Sequence, residues 1–196
     1  MGLQALLGRR ASFRRGRIAA ATLSIRVGAA AVQLGQTTAI AVVESFGLLD
    51  AFHPGRIDLG VGRSGQRRGE SIENASSTPK PELSKEWRNV GGVVVPPPFD
   101  ISALMRNPRL RARFSVLQQP EAVAPDFADQ VGDILAMIEG SYCIEDVDAH
   151  ATPGEGAALT PWVFGSSKGQ SARVAGARGL PFVASYHITP ATTLEA

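Results

Sequence analysis

A single cysteine, Cys143, stands in 196 residues, so no disulfide can close within the chain and a reducing compartment is its ordinary setting. No apolar run reaches about 18 residues without a charge, which argues against a membrane-spanning helix. The histidines His53, His150 and His187 lie far apart and form neither an HxxxH nor an HExxH pair, so no zinc motif is present. Lysine is scarce (Lys80, Lys85 and Lys168), and arginine carries most of the positive charge. The net charge of +2 is too near neutral to argue for nucleic acid by itself. Gly60-Val-Gly62 lacks the correctly spaced third glycine of a dinucleotide-binding fingerprint. What remains, at 44% hydrophobic and 19% charged residues, is a globular chain long enough for a real core.

The stretch Leu23 to Arg63 organises that core. It reads as a strand over 23–34, a helix from about Thr37 to Phe52, and a second strand over 57–63 entered through His53-Pro54-Gly55-Arg56. Strands joined by a helical crossover are parallel, and buried parallel strands are nearly continuous apolar runs. Ile40, Val43, Phe46, Gly47 and Leu48 or Leu49 form the helix's apolar side, and Thr37 or Thr38 is its N-cap.

Around this unit the chain varies. Residues 1–17 are basic and without acid; they read as a disordered extension, against the alternatives of a targeting segment or a nucleic-acid- or membrane-binding arm. Residues 18–196 form the folded part, with an insertion at about 64–125. Residues 64–88 lack apolar periodicity and are expected to be poorly ordered. Val90 to Val95 suggests a short strand before three prolines, and 100–117 a short helix. Asp126 to Ile138 predicts a helix with the stripe Phe127, Val131, Ile134, Leu135 and Ile138, closed by Gly140. Residues 142–158 look polar and superficial. Strands are expected at 161–167 and 181–188, with a helix over 168–178 between them. The four strands should lie parallel and adjacent in chain order.

Two junctions have binding chemistry. Ser166-Ser167-Lys168-Gly169-Gln170-Ser171 follows a buried strand and opens a helix; free N–H groups there suit a phosphate, and serine capping of an ordinary turn is the alternative. Arg63 follows another strand, where its guanidinium can pair with phosphate or with a loop acid.

Several motifs together resemble the luciferase-like flavin-dependent monooxygenases: Ile25 to Leu34, Glu44-Ser-Phe-Gly-Leu-Leu-Asp50, His53-Pro-Gly-Arg-Ile-Asp-Leu-Gly-Val-Gly-Arg63, Pro161-Trp-Val-Phe-Gly-Ser-Ser167 and Arg178-Gly-Leu-Pro-Phe182. The resemblance implies an α/β fold, a partial (β/α)8 TIM barrel with strands three to six. A whole barrel takes about 250 residues, so a fragment is expected. A Glu-His-His type motif at the end of the family's second strand has no counterpart here. By this resemblance, Arg63, Ser166, Ser167, Gln170 and Ser171 hold the phosphate of FMN. Ala30 and Ala31 lie where bacterial luciferase has a non-proline cis peptide against the flavin ring. The chain departs from that pattern just afterwards, at Gly35-Gln36-Thr37-Thr38. His187, at the C-terminal end of an expected strand, is expected to line the substrate pocket, with a catalytic base or a buried hydrogen-bonded histidine as the alternatives.

The implied function is oxidation of a small organic substrate by reduced FMN and oxygen in the cytoplasm, with a flavin reductase as supplier and a homo-oligomer as a further expectation. A deazaflavin-dependent hydride transfer and a non-catalytic fragment are the alternatives. Neither nucleic acid nor a membrane is expected as a partner.

Overall fold

The computed structural model describes residues 8–63, 86–97, 106–109, 112, 116–117, 122–166, 169–186 and 190, with backbone alone for 8–13. In chain order the elements are α1 (Gly8–Ala20), β1 (Val27–Gly28), β2 (Val32–Gln33), α2 (Ala39–Phe52), β3 (Ile57–Gly62), β4 (Arg88–Val90), β5 (Val93–Val95), α3 (Phe127–Glu139), β6 (Cys143–Ile144), β7 (Val147–Asp148), β8 (Thr160–Gly165), α4 (Gln170–Arg178) and β9 (Phe182–Ala184). The central sheet runs β1–β3–β8–β9, with β2 also on β3, and every pairing is parallel. This is a partial (β/α)8 barrel, with the four expected strands adjacent in the expected order.

Period-two alternation gives the sheet two faces. Ile57, Leu59, Val61 and Val163 are buried in the core with Val43 and Phe46 of α2 and Phe127, Val131 and Ile134 of α3. Burying each large side chain stabilises the fold by roughly 1.5–3 kcal/mol. The opposite face carries Asp58, Gly60 and Gly62, paired in register with Thr160, Trp162 and Phe164. A Cβ on Gly60 would lie 2.5 Å from the Phe164 ring and 2.0 Å from the Ala29 carbonyl oxygen. Glycine at that position therefore makes room for the ring and for the neighbouring strand.

Helix ends follow their sequence signals. Thr38 caps α2, its hydroxyl accepting from the Ala41 N–H at 3.4 Å. Asp126 caps α3 at Ala128, 2.7 Å, and Gly140 ends it in the left-handed region at φ 72°. Buried Gln130 donates to the carbonyls of Leu34 and Thr37, tying α3 to the turn after β2.

Several expectations need correction. The first strand is shorter than 23–34 and interrupted: Leu23 is 97% exposed, and pairing occurs only at Val27–Gly28 and Val32–Gln33. The last strand narrows from 181–188 to Phe182–Ala184, and the helix expected over 168–178 begins at Gln170. On α2, Ile40 faces outward and Val42 is buried instead, while of Leu48 and Leu49 it is Leu49 that packs against the core. That helix is apolar nearly all round, so its sequence gave no direction to the stripe. Val90 to Val95 is not one strand but part of an antiparallel hairpin, turning at Gly91 and Gly92 with positive φ.

The basic segment read as disordered is helical from Gly8, because tertiary packing holds α1 in place. Ala19 is buried, the Arg15 guanidinium lies 5.3 Å from the centre of the Phe46 ring, and its Nε donates to the Gly28 carbonyl. Within 142–158, the short hairpin β6–β7 is exposed, but Ala151 and Gly154 are buried against α2. The expected disorder at 64–85 and most of the 100–117 helix lie outside the described residues.

Candidate functional site

The C-terminal ends of β3 and β8 lie side by side, since Gly62 pairs with Phe164. This C-terminal rim is where (β/α) barrels place their chemistry. Arg63 leaves the end of β3. Ser166 leaves the end of β8 and is buried. Four residues further on, α4 begins at Gln170, and Ser171 in its first turn is buried as well.

Arg63 Nη1 donates to Gln170 Oε1 at 2.6 Å, across 107 residues of chain. Gln170 Nε2 in turn donates to Asp126 Oδ2. The hydrogen bond from Gln170 holds the Asp126 carboxyl below its ordinary range, with backbone N–H groups of the α3 N-terminus adding to the effect. Three elements that are remote in sequence thus meet through three polar side chains.

The N-cap of α4 is Gly169, which supplies no side-chain cap, and a Cβ there would meet nothing within 4 Å. The first N–H groups of a helix have no intrahelical partner and mark its positive end. Beside them stand a guanidinium and two serines. This donor-rich set fits an anion of phosphate size, and the open approach at Gly169 leaves room for one.

A concavity of about 340 Å³ lies on the face of the sheet opposite α2 and α3, lined by Ala29, Ala30, Asp58, Trp162, Phe164 and Val183 among others. Its walls are largely aromatic and aliphatic, which suits a flat apolar group. The Ala30–Ala31 peptide is cis. At the far end of the same face, Asp58 accepts from Arg26 Nη2 at 2.7 Å and from Trp162 Nε1 at 3.3 Å, while Arg26 also reaches Thr160 and the Gly55 carbonyl. That network joins β1, β3 and β8 at the N-terminal rim, where a barrel's conserved contacts serve stability.

Of the residues singled out in the sequence, the structure brings Arg63, Ser166, Gln170 and Ser171 to one rim and sets Ala30 and Ala31 between β1 and β2, with Ala30 lining the concavity. Ser167, Lys168 and His187 lie outside the described residues. Sequence reasoning took Asp126 only as the first residue of the 126–138 helix, and did not single out Trp162 and Phe164 as wall residues. The alternation of Trp162 and Phe164 within the apolar run Pro161 to Gly165 is the signal that marks them. The hairpin β4–β5 reaches the same end of the sheet, where the Tyr186 hydroxyl donates to the Val94 carbonyl. Among the described residues no helix is long and apolar enough to cross a membrane.

Comparison with known proteins agrees with this fold. Residues 15–81 match the luciferase-like monooxygenase family. An uncharacterized protein of Bacillus subtilis, YvbT, is 30% identical over 181 residues, covering 92% of this chain and 41% of its own. A luciferase-like monooxygenase of Escherichia coli K12 is 26% identical over 183 residues, with the same coverages of 92% and 41%. The solved structure of apo-MsnO8 shares the fold, with a TM-score of 0.58 at 23% identity, over 91% of this chain and 39% of that one. The chain therefore resembles the luciferase-like monooxygenases over most of its own length, while spanning about two fifths of the length of the curated relatives it matches.

Proposed function

We propose that this chain holds the phosphate end of reduced FMN between Arg63 and the start of α4, as part of a flavin-dependent monooxygenase acting on a small organic substrate. One observation carries the reading: Arg63, from the end of β3, bonds at 2.6 Å to the first residue of α4, so a guanidinium and an uncapped helix N-terminus share one space. Ser166 and Ser171 flank that space. The apolar concavity of Trp162 and Phe164, beside Ala30, lies on the face of the sheet where the ring system would be accommodated. Reduced flavin, when bound, would supply the electrons that let oxygen oxidise the substrate. The protein's own share is to bind, orient and exclude water. The β4–β5 hairpin, bonded to Tyr186, would help with the last of these. A separate flavin reductase as electron source, a homo-oligomer and a cytoplasmic setting complete the proposal. A deazaflavin carrying the same phosphate would use the same residues.

Fluorescence titration with FMN and with riboflavin tests the reading. A hydrogen bond to a charged group contributes roughly 1.5–3 kcal/mol, so Arg63→Ala should weaken FMN about tenfold to a hundredfold and leave riboflavin almost unchanged. Equal weakening of both ligands, or of neither, refutes the phosphate assignment. The coverage of about two fifths of its relatives supports a second reading, a barrel fragment without catalysis. Absence of flavin binding by the intact chain would decide for that reading.

A further inference from the structure

We propose that Asp126 and Gln170 form a positioning relay for Arg63, which sets the guanidinium for a phosphate without neutralising its charge. The inference rests on the phosphate reading above and adds the device that makes Arg63 effective.

The chemistry of the three groups fixes the direction of the relay. An ionised carboxylate can only accept, and a guanidinium can only donate. The amide of Gln170 lies between them, so its nitrogen faces Asp126 and its oxygen faces Arg63, in agreement with the observed pairing. Asp126 is itself held in place: Oδ1 accepts the Ala128 N–H at 2.7 Å as the cap of α3, while Oδ2 takes Gln170. Helix α3 is anchored in the core through Phe127, Val131 and Ile134. The relay therefore transmits the position of a packed helix to the end of a long, flexible arginine at a loop.

A neutral amide is the suitable middle member. It takes one donor of Arg63 and brings no negative charge of its own to compete with an anion. A glutamate of the same shape would make an ion pair with Arg63 and compete with phosphate. It would also face the carboxylate of Asp126, where like charges repel. A purely structural role for Gln170 would not distinguish FMN from riboflavin.

The test uses FMN and riboflavin titrations of the intact chain with three variants. Gln170→Leu should weaken FMN about three- to tenfold, from the loss of one charged hydrogen bond's orientation, with riboflavin unchanged. Gln170→Glu should weaken FMN more than Gln170→Leu does. Asp126→Asn keeps a good helix cap but lets the Gln170 amide turn either way; FMN should weaken about two- to fivefold, below the full loss of the bond. In the ligand-free protein, NMR titration should show the Asp126 carboxyl rising toward its ordinary range in Gln170→Leu.

FMN affinity unchanged in both Gln170 variants overturns the relay, as does equal loss of FMN and riboflavin, or Gln170→Glu binding FMN as well as the parent. An unmoved Asp126 titration overturns its first link. Where Arg63→Ala separates the two ligands and the Gln170 variants do not, the relay fails and the phosphate reading stands. Where Arg63→Ala fails to separate them, the phosphate reading itself falls, and the relay's role in phosphate binding falls with it.

Discussion

Gly47 and Gly176 both lie inside helices, and the same substitution should move the protein in opposite directions at the two sites. Replacing an interior helix glycine by alanine ordinarily stabilises by about 0.5–1 kcal/mol, because the unfolded chain loses freedom. At Gly176, in α4, an added Cβ meets nothing within 4 Å. Gly176→Ala should therefore raise the melting temperature by about 1–4 °C, at about 2–4 °C per kcal/mol for a chain of this size. At Gly47, in α2, the added Cβ would sit 2.2 Å from the Gly154 Cα, 2.5 Å from its nitrogen and 2.9 Å from the Pro153 carbonyl carbon. All three are backbone atoms, which cannot swing aside as a side-chain end can. Gly154 is equally confined, since a Cβ there would lie 2.4 Å from Val43 Cγ1 and 2.5 Å from the Val43 oxygen. Overpacking of this kind costs about 1–3 kcal/mol. Against a propensity gain of about 1 kcal/mol or less, the upper part of that range wins. Gly47→Ala should lower stability by about 1–2 kcal/mol, or about 2–8 °C. Paired thermal melts followed by circular dichroism would read both effects. If Gly47→Ala melts as high as Gly176→Ala, the 151–156 segment is not docked on α2 as described.

Two further perturbations follow from the same packing. Asp50 is buried and accepts the Gly55 and Ala158 N–H groups, both at 2.8 Å, one on each oxygen; Asp50→Asn turns a donor toward one of them and should cost about 1–3 kcal/mol, read as a lower urea midpoint. His150 is raised above its ordinary value by its hydrogen bond to Glu155 at 2.7 Å. A raised folded-state value means that the contribution is complete below the unfolded value of about 6.5 and is lost as pH rises through the folded one. The stability difference between the parent and Glu155→Gln should therefore be larger near about pH 6 than near about pH 8, in urea titrations at the two pH values.

The parts of the fold written in local signals were legible beforehand. Ile57 to Gly62 is a short apolar run closed by arginine, and it is a buried parallel strand. The helix expected from Asp126 has a stripe with the correct period, and Gly140 closes it as read, while Asp126 itself is the N-cap. Elements held by partners remote in sequence were not legible. The basic segment before Ala20 has no helix signal of its own strong enough to outweigh its charge. It is ordered where Ala19 is buried, Gly16 lies close to Leu49 and the Arg15 guanidinium stands over the Phe46 ring. The first strand fails for a related reason: its apolar letters continue through 23–34, yet backbone pairing with β3 is interrupted between Gly28 and Val32.

The candidate site divides along the same line. In a parallel sheet, adjacent strands end on the same side, so recognising β3 and β8 as strands already commits the residues after them to one rim. Arg63 and Ser166 were legible for that reason, without any knowledge of their side chains. The register then decides how near they lie, and pairing of Gly62 with Phe164 puts the two junctions one step beyond matched positions. Which side chain takes which partner is a separate matter. Gln170 lies between Arg63 and Asp126 because α3 and α4 pack side by side beneath the strands. Asp126 serves the local backbone with one oxygen and the distant site with the other. A sequence reading that explains such a residue completely by its local duty has no reason to look for the second. Local sufficiency is therefore weak evidence against a functional role, and polar caps whose helices begin at a barrel rim are where that second duty should be sought.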